Sequence, residues 1–201
     1  MSKVTAQVAI SLDGYVAGPE QSEENPIGVG GMRLHDWHRE PEGQSAVDAE
    51  VTARMLEGNG AYVMGRNMFG PIRGPWSGDW RGWWGPEPPY HAPVFVLTHE
   101  PRESLAMEGG TTFHFVTEGF DAALSVAREA AGSLNVAIAG GASAINQALA
   151  AGVVDELFLH VVPIVLGAGA RLLEGVGTPS FEIAEVLSAP AVTHIRYRAV
   201  R

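Results

Sequence analysis

One stretch of the sequence constrains the fold more than any other. Residues 136–139 form a short apolar run typical of a buried strand, and the chain passes through Gly140 and Gly141 directly into Ala142–Ala150, which has the spacing of a helix. Strands also alternate with helices before this junction, a pattern typical of α/β proteins. Residues 181–200 predict two strands joined as an antiparallel hairpin. We therefore expect a central, mostly parallel sheet with an antiparallel hairpin at its C-terminal end.

The remaining elements follow from the same patterns. The predicted strands are residues 4–10, 61–64, 94–98, 111–116, 136–139, 157–162, 181–187 and 192–200, and the predicted helices are residues 48–57, 120–131 and 142–150. Residues 70–93 contain six prolines and four of the five tryptophans but show no period, which predicts an ordered, irregular segment. No linker or repeat divides the chain, so we expect one domain over residues 1–201.

The composition excludes several classes of protein. The chain has no cysteine, which rules out disulfides, iron–sulfur clusters and thiolate zinc sites. Its 13 basic and 23 acidic residues give a net charge of −10, so we expect no basic surface that binds nucleic acid or an anionic membrane. No apolar run is long enough to span a bilayer, and the N-terminal residues lack the features of a signal peptide. We expect a cytoplasmic protein.

Three predicted strands end in residues suited to binding an anion. Gly140 and Gly141 allow close approach to the backbone at the start of a helix, where free N–H groups and the helix dipole favour negative charge. Arg66 follows the strand at 61–64, and its planar guanidinium can pair with a phosphate. Thr98 and His99 end the next strand. Each end alone is also compatible with an ordinary turn, but together they predict one nucleotide site, because ligands collect at the carboxyl ends of parallel strands.

Five segments, in this order and spacing, resemble one known family. They are AISLDGYVAG from residue 9, VMGRNMF from residue 63, FVLTHEP from residue 95, AIAGGASAINQAL from residue 137 and DELFLHVVPIVLGAGARLL from residue 155. Together they resemble the dihydrofolate reductase-like superfamily and, within it, the group of RibD C-terminal domains and bacterial pyrimidine reductases. The resemblance covers nearly the whole chain. It implies a three-layer αβα fold, a homodimer, and NADPH as the cofactor.

The resemblance also implies where NADPH binds and what it does. The implied cofactor-binding residues are Ala9, Val16 and Ala17 beside the nicotinamide, Gly65, Arg66, Asn67, Thr98 and His99 around the adenosine 2′-phosphate, and Gly140, Gly141, Ala142, Ser143, Ala144 and Ile145 along the diphosphate. The implied reaction is hydride transfer to a C=N or carbonyl carbon of a small heterocycle or its opened sugar. The nearest named activity is reduction of 5-amino-6-(5-phosphoribosylamino)uracil in riboflavin biosynthesis.

Three side chains are candidates for supplying the proton. By resemblance, Asp48 takes the place of the carboxylate on the first helix of dihydrofolate reductases, but it also stands at a predicted helix start, where an aspartate caps the helix without any catalysis. Asp36 is the competing acid. His160 shares one strand face with Phe158 and Val162, where it is either a general acid or a hydrogen-bonded core histidine.

Several alternatives stay open at this point. His35 and His38 suggest a metal by their spacing, yet no further ligand completes a set, so we expect none. The tryptophan-rich residues 70–93 form either a lid over the substrate or a plug that anchors a long loop. The protein is a reductase of this pyrimidine, a reductase of another acceptor, or a non-catalytic NADPH-binding protein. Turnover with a defined acceptor separates the third alternative from the first two.

Overall fold

The chain alternates strands with helices, as the sequence predicts. The computed structural model describes residues 2–39, 44–71, 73–76 and 78–200. The strands are β1 (Val4–Ser11), β2 (Tyr15–Ala17), β3 (Asn59–Gly65), β4 (Pro93–Leu97), β5 (Leu105–Ala106), β6 (Thr112–Val116), β7 (Asn135–Gly140), β8 (Glu156–Val162), β9 (Ala170–Arg171), β10 (Ser180–Ser188) and β11 (Thr193–Val200). The helices are α1 (Asp36–Arg39), α2 (Ala46–Arg54), α3 (Arg66–Phe69), α4 (Phe120–Ala131) and α5 (Ala142–Ala150), with 3₁₀ turns at Gly31–His35 and Glu108–Gly110.

Nine of these strands form one sheet in the order β10-β11-β8-β1-β7-β3-β4-β6-β5. The six neighbours from β8 to β6 are all parallel. β11 pairs antiparallel with both β8 and β10, and the short β5 pairs antiparallel with β6. β2 and β9 form a separate antiparallel pair. The predicted class, a mostly parallel α/β sheet with a C-terminal antiparallel hairpin, is confirmed.

Helices α4 and α5 cover one face of the sheet. The residues that α4 buries are Phe120, Ala123, Leu124, Ala127 and Ala131. Their spacing of three and four puts them on one side of the helix, against a core that also contains Val4, Val63 and Ile138 from three strands. Among the described residues, no helix is long and apolar enough to cross a membrane.

The opposite face of the sheet is covered in two places. At one end, Leu34, Trp37 and Val51 pack against Ala9 and Val162. At the other end, the tryptophan-rich segment covers a second cluster of buried side chains, which are Tyr62, Met64, Phe69, Tyr90, Val94, Val96 and Phe113. The molecule therefore has the three layers that the resemblance implies.

The tryptophan-rich segment is anchored by its own side chains. Trp84 stacks on Phe113 with ring centroids 5.9 Å apart, and the indole N–H of Trp80 donates to the carbonyl of Phe69 at 2.9 Å. A Cβ at position 70 would overlap the indole ring of Trp80, so only glycine fits there. These contacts favour the plug over the lid, since they pack the partly buried indoles against the core.

The first long helix differs from its predicted bounds. It begins at Ala46 rather than at Asp48, and it ends at Arg54 rather than at residue 57. Ser45 is the N-cap, because its hydroxyl accepts a hydrogen bond from the backbone N–H of Asp48 at 3.1 Å. Asp48 is therefore the third residue of the helix, and of its two predicted alternatives the one in which it caps the helix is wrong.

Candidate active site

The three strand ends singled out in the sequence lie side by side. β7, β3 and β4 are adjacent parallel strands, with Met64 in register with Gly140 and Gly65 in register with Leu97. A Cβ on Gly65 would lie 3.7 Å from the backbone nitrogen of Gly141, so the two loops are in contact distance. The carboxyl edge of the sheet thus brings the glycine pair, the Arg66 turn and the Thr98 turn together, as the sequence predicts.

The glycine pair opens a stretch of backbone at the start of α5. Gly140 has a φ of 127°, and a Cβ there would lie 3.1 Å from the sulfur of Met68. Nothing lies within 4 Å of the position that a Cβ on Gly141 would take. The space beside Gly141, the residue directly before α5, is therefore open.

Only part of the segment from 140 to 145 can face a ligand. The N–H groups of Ala144 and Ile145 both donate to the carbonyl of Gly141, at 3.1 and 3.2 Å, and both side chains are fully buried. Ala142 and Ser143, in the first turn of the helix, have no intrahelical acceptor for their N–H groups. The anion-binding capacity predicted for this segment therefore rests on the backbone of Ala142 and Ser143.

Arg66 is fixed at the edge by two contacts. Its Nη1 donates to the hydroxyl of Thr98 at 3.3 Å, and its guanidinium carbon lies 3.6 Å from the centroid of the Trp76 ring. Its Nε and Nη2 are buried and have no hydrogen-bond partner. Burial lowers the pKa of Arg66, Glu100 acts against that shift, and Arg73 and Arg102 reinforce it. Two shielded donors without an acceptor, in a region of several arginines, fit an anionic group.

The other residues expected around a 2′-phosphate lie close to Arg66. Thr98 is buried and its hydroxyl also accepts from the N–H of Glu100 at 3.1 Å. His99 and Asn67 are exposed. The carbonyl of Asn67 accepts from the side-chain amide of Gln21 at 2.8 Å, which ties the first long loop to this turn.

The residues expected beside the nicotinamide lie around the ends of β1 and β2. Ala9 and Val16 are buried and point into the core, and Ala17 belongs to the β2–β9 pair. Next to them is a cavity of about 500 Å³. Its lining residues are Ile10, Leu12, Asp13, Gly14, Tyr15, Gly167, Arg171, Leu172 and Leu173.

Asp13 shapes this end of the site, although no role was predicted for it from the sequence. Its carboxylate accepts from the hydroxyl of Ser11 at 2.6 Å and from the N–H groups of Leu166 and Gly167 at 3.1 and 2.7 Å. These hydrogen bonds, with the one from Ser11 the largest cause, lower the pKa of Asp13 to about 2. Asp13 therefore holds the glycine-rich turn after β8 against the first loop.

A buried hydrogen-bonded chain contains two of the three proton-donor candidates. His194 Nε2 lies 2.9 Å from a carboxylate oxygen of Asp48, His160 Nδ1 lies 2.8 Å from His194 Nδ1, and the amide nitrogen of Gln7 lies 2.8 Å from His160 Nε2. The other oxygen of Asp48 accepts from the hydroxyl of Ser45 at 2.7 Å.

The donors in this chain fix both histidine tautomers. The amide nitrogen of Gln7 can only donate, so His160 accepts at Nε2 and carries its proton on Nδ1. That proton is donated to His194 Nδ1, and His194 in turn donates from Nε2 to Asp48. Both rings are neutral in this arrangement, and Asp48 is the final acceptor.

The structure gives His160 a poor position for general acid catalysis. It is 1% exposed, and Trp37 packs over it with ring centroids 4.9 Å apart. Burial lowers the pKa of His160 to about 3, with smaller contributions from His194, His38 and His35. The ring is therefore neutral at physiological pH and is not an imidazolium that could act as a general acid. This favours the alternative of a hydrogen-bonded core histidine.

The competing acid lies outside the site. The side chain of Asp36 is exposed and forms an ion pair with Arg39 at 3.6 Å on the surface of α1. Helix α1 turns Trp37 rather than Asp36 toward the sheet, so the carboxylate of Asp36 lies in solvent.

His194, Gln7 and Trp37 were not predicted from the sequence as part of the site. His194 and His160 are register partners on the antiparallel strands β11 and β8, a relation that only the strand pairing reveals. His35 and His38 lie 3.0 Å apart through ring nitrogens, and burial lowers the pKa of His35 to about 4. Within residues 2–39, 44–71, 73–76 and 78–200, no group of three or more potential ligands is arranged to hold a metal ion.

Comparison with known proteins places this architecture in a class and then in a family. The dihydrofolate reductase from Enterococcus faecalis, solved in complex with NADP(H), superimposes with a TM-score of 0.57 at 14% identity, covering 99% of this chain and 97% of that one. The fold is therefore dihydrofolate reductase-like. The sequence matches the RibD C-terminal domain family over residues 2–195, and the chain belongs to that family.

Other solved structures share the same fold. A protein from Shewanella sp. PV-4 provisionally assigned to riboflavin biosynthesis superimposes with a TM-score of 0.67 at 23% identity and covers 100% of both chains. RibD from Acinetobacter baumannii superimposes with a TM-score of 0.60 at 15% identity, and this chain spans 59% of its length. A comparison with curated proteins finds no match.

Proposed function

We propose that the protein is an NADPH-dependent reductase that transfers a hydride to a small heterocyclic substrate, with the uracil intermediate of riboflavin biosynthesis as the nearest named acceptor. The family and the fold support a reductase. The observation that carries the choice of NADPH is Arg66, whose Nε and Nη2 are buried without an acceptor at the carboxyl edge of the sheet. A phosphate accepts from two such donors at once.

The dinucleotide lies across the ends of β4, β3 and β7 in this proposal. Its 2′-phosphate meets Arg66 and Thr98, and its diphosphate meets the open backbone of Gly141, Ala142 and Ser143. The positive end of the α5 dipole favours the diphosphate there. The nicotinamide reaches the first loop, near the cavity between β2 and the glycine-rich turn that Asp13 holds.

When bound, NADPH supplies the hydride, and the residues of the chain bind, orient and exclude water. Asp48 is buried and accepts the last hydrogen bond of the chain through His194 and His160. Its role in this proposal is to fix His194 and His160 beneath Trp37 through the hydrogen bonds described above. His160 is then a buried core histidine beneath Trp37 rather than the proton donor.

One observation favours a second candidate function, a non-catalytic NADPH-binding protein. Asp36 lies on the surface, and Asp48 and His160 are both buried with their polar atoms engaged. Turnover of a defined heterocyclic acceptor distinguishes the two, since a binding protein oxidises no NADPH. In either case we propose a homodimer, and light scattering that gives the mass of one chain at micromolar concentration would exclude it.

Titration with NADPH and NADH, followed by nicotinamide fluorescence, tests the cofactor. We expect NADPH to bind more tightly than NADH, and Arg66→Ala to weaken NADPH binding by about 1–3 kcal/mol, the loss of a hydrogen bond to a charged group. Arg33→Ala, which removes an exposed arginine on the 3₁₀ turn, is the control and leaves both affinities unchanged. Absence of binding to either dinucleotide would overturn the proposal.

A further inference from the structure

The ring of Trp76 contacts the side chain of an arginine at the carboxyl edge of the sheet. Like Trp80 and Trp84, Trp76 packs against the buried cluster that contains Phe69, but its ring also lies against the guanidinium of Arg66, 3.6 Å from ring centroid to Cζ. The Trp76 ring is held in turn by its N–H, which donates to the carbonyl of Glu100 at 2.8 Å, and by edge contacts with Phe69 and Phe115. The Trp76 ring, held in place by these contacts, therefore supports the guanidinium of Arg66.

The contacts of Arg66 leave one complete edge of its guanidinium unused. Nη1 is engaged with Thr98, and the flat face is engaged with Trp76. The two donors without a partner, Nε and Nη2, lie on the same edge of the guanidinium and point in parallel. This is the edge with which arginine binds two oxygens of one phosphate.

We propose that Trp76 is a specificity-determining residue, which positions Arg66 so that this edge selects a nucleotide that carries a 2′-phosphate. The inference rests on the proposed function, because it takes the 2′-phosphate as the partner of Arg66. Trp76 touches Arg66 and not the nucleotide, so it is a positioning residue. Without the ring, the flexible guanidinium samples other orientations, and the discrimination between NADPH and NADH falls.

The test measures dissociation constants of NADPH and NADH for the wild type, Trp76→Leu, Trp76→Phe and the control Trp83→Leu. Trp83 lies in the same segment, and its ring contacts Trp80 at 4.6 Å. We expect Trp76→Leu to weaken NADPH about fivefold to tenfold, the loss of one partly shielded cation–π contact, and to change NADH less than twofold. Trp76→Phe keeps an aromatic face and restores most of the preference, and Trp83→Leu retains the wild-type ratio.

A second pair of probes isolates the phosphate itself. Adenosine 2′,5′-bisphosphate and adenosine 5′-monophosphate differ only in the 2′-phosphate, and Trp76→Leu should reduce the affinity for the bisphosphate alone. An unchanged NADPH-to-NADH ratio in Trp76→Leu, or an equal loss of both nucleotides, overturns the inference and leaves the proposed function standing. A wild type that binds neither dinucleotide overturns the proposed function instead.

Discussion

Acid should destabilise this protein through one buried histidine. His160 is 1% exposed, its Nε2 accepts from Gln7, and its Nδ1 donates to His194. A second proton, added at Nε2, would face the N–H of Gln7 and find no acceptor. The pKa of His160 is lowered from 6.5 to about 3, mainly by burial and then by His194, His38 and His35. Between these two pH values the unfolded chain binds the proton and the folded chain does not. The free energy of unfolding therefore falls as the pH falls below 6.5.

The size of the effect follows from the shift. For one group that titrates near 6.5 only in the unfolded chain, lowering the pH from 7 to 5 costs about 2 kcal/mol, at about 1.4 kcal/mol per pH unit. His160→Gln removes the titrating ring and keeps an amide donor for His194. Its free energy of unfolding should fall about 2 kcal/mol less than that of the wild type over this range.

The assay is urea unfolding followed by tryptophan fluorescence at a series of pH values. His99→Gln, which replaces an exposed histidine at the carboxyl edge, is the matched control and should follow the wild-type curve. If His160→Gln declines in parallel with the wild type, the proton is taken up elsewhere, and the fixed neutral tautomers deduced for the buried chain are refuted.

Two further predictions separate the site from the core. Gly140→Ala should lower the melting temperature, because it places a side chain at a φ of 127° and 3.1 Å from the sulfur of Met68. Gly141→Ala should melt like the wild type and weaken NADPH binding, because its Cβ enters open space beside α5. Equal melting temperatures of the two variants in calorimetry would contradict this prediction. Phe113→Ala should lose about 3–5 kcal/mol in urea unfolding, since the ring is fully buried between Phe69 and Trp84, and a loss below about 1 kcal/mol would show that the cluster packs loosely.

The meeting of the strand ends could be predicted because it follows from topology alone. In a parallel sheet every strand ends at the same edge, so Gly141, Arg66 and Thr98 had to lie near one another once β7, β3 and β4 were recognised as neighbours. The layers followed likewise from the period of α4 and from the family resemblance. Local signals were weaker: capping by Asp48 was one of two alternatives, and the structure has Ser45 at the N-cap.

The contacts that set the chemistry depend on register and on irregular backbone. The pairing of His160 with His194 requires that β11 align with β8 at one particular residue, which no short pattern encodes. The stacking of Trp76 on Arg66 requires the path of a segment without helical or strand period. For the same reason the sequence could nominate His160 as an acid but could not show that a buried chain keeps it neutral.

A crystal structure of the protein with NADPH would show whether the cofactor binds at the carboxyl edge of the sheet. We expect 2′-phosphate oxygens within about 2.7–3.2 Å of Nε and Nη2 of Arg66, and diphosphate oxygens on the N–H groups of Ala142 and Ser143. NADPH bound elsewhere, or an Arg66 edge that stays without an acceptor at saturating NADPH, would contradict this expectation.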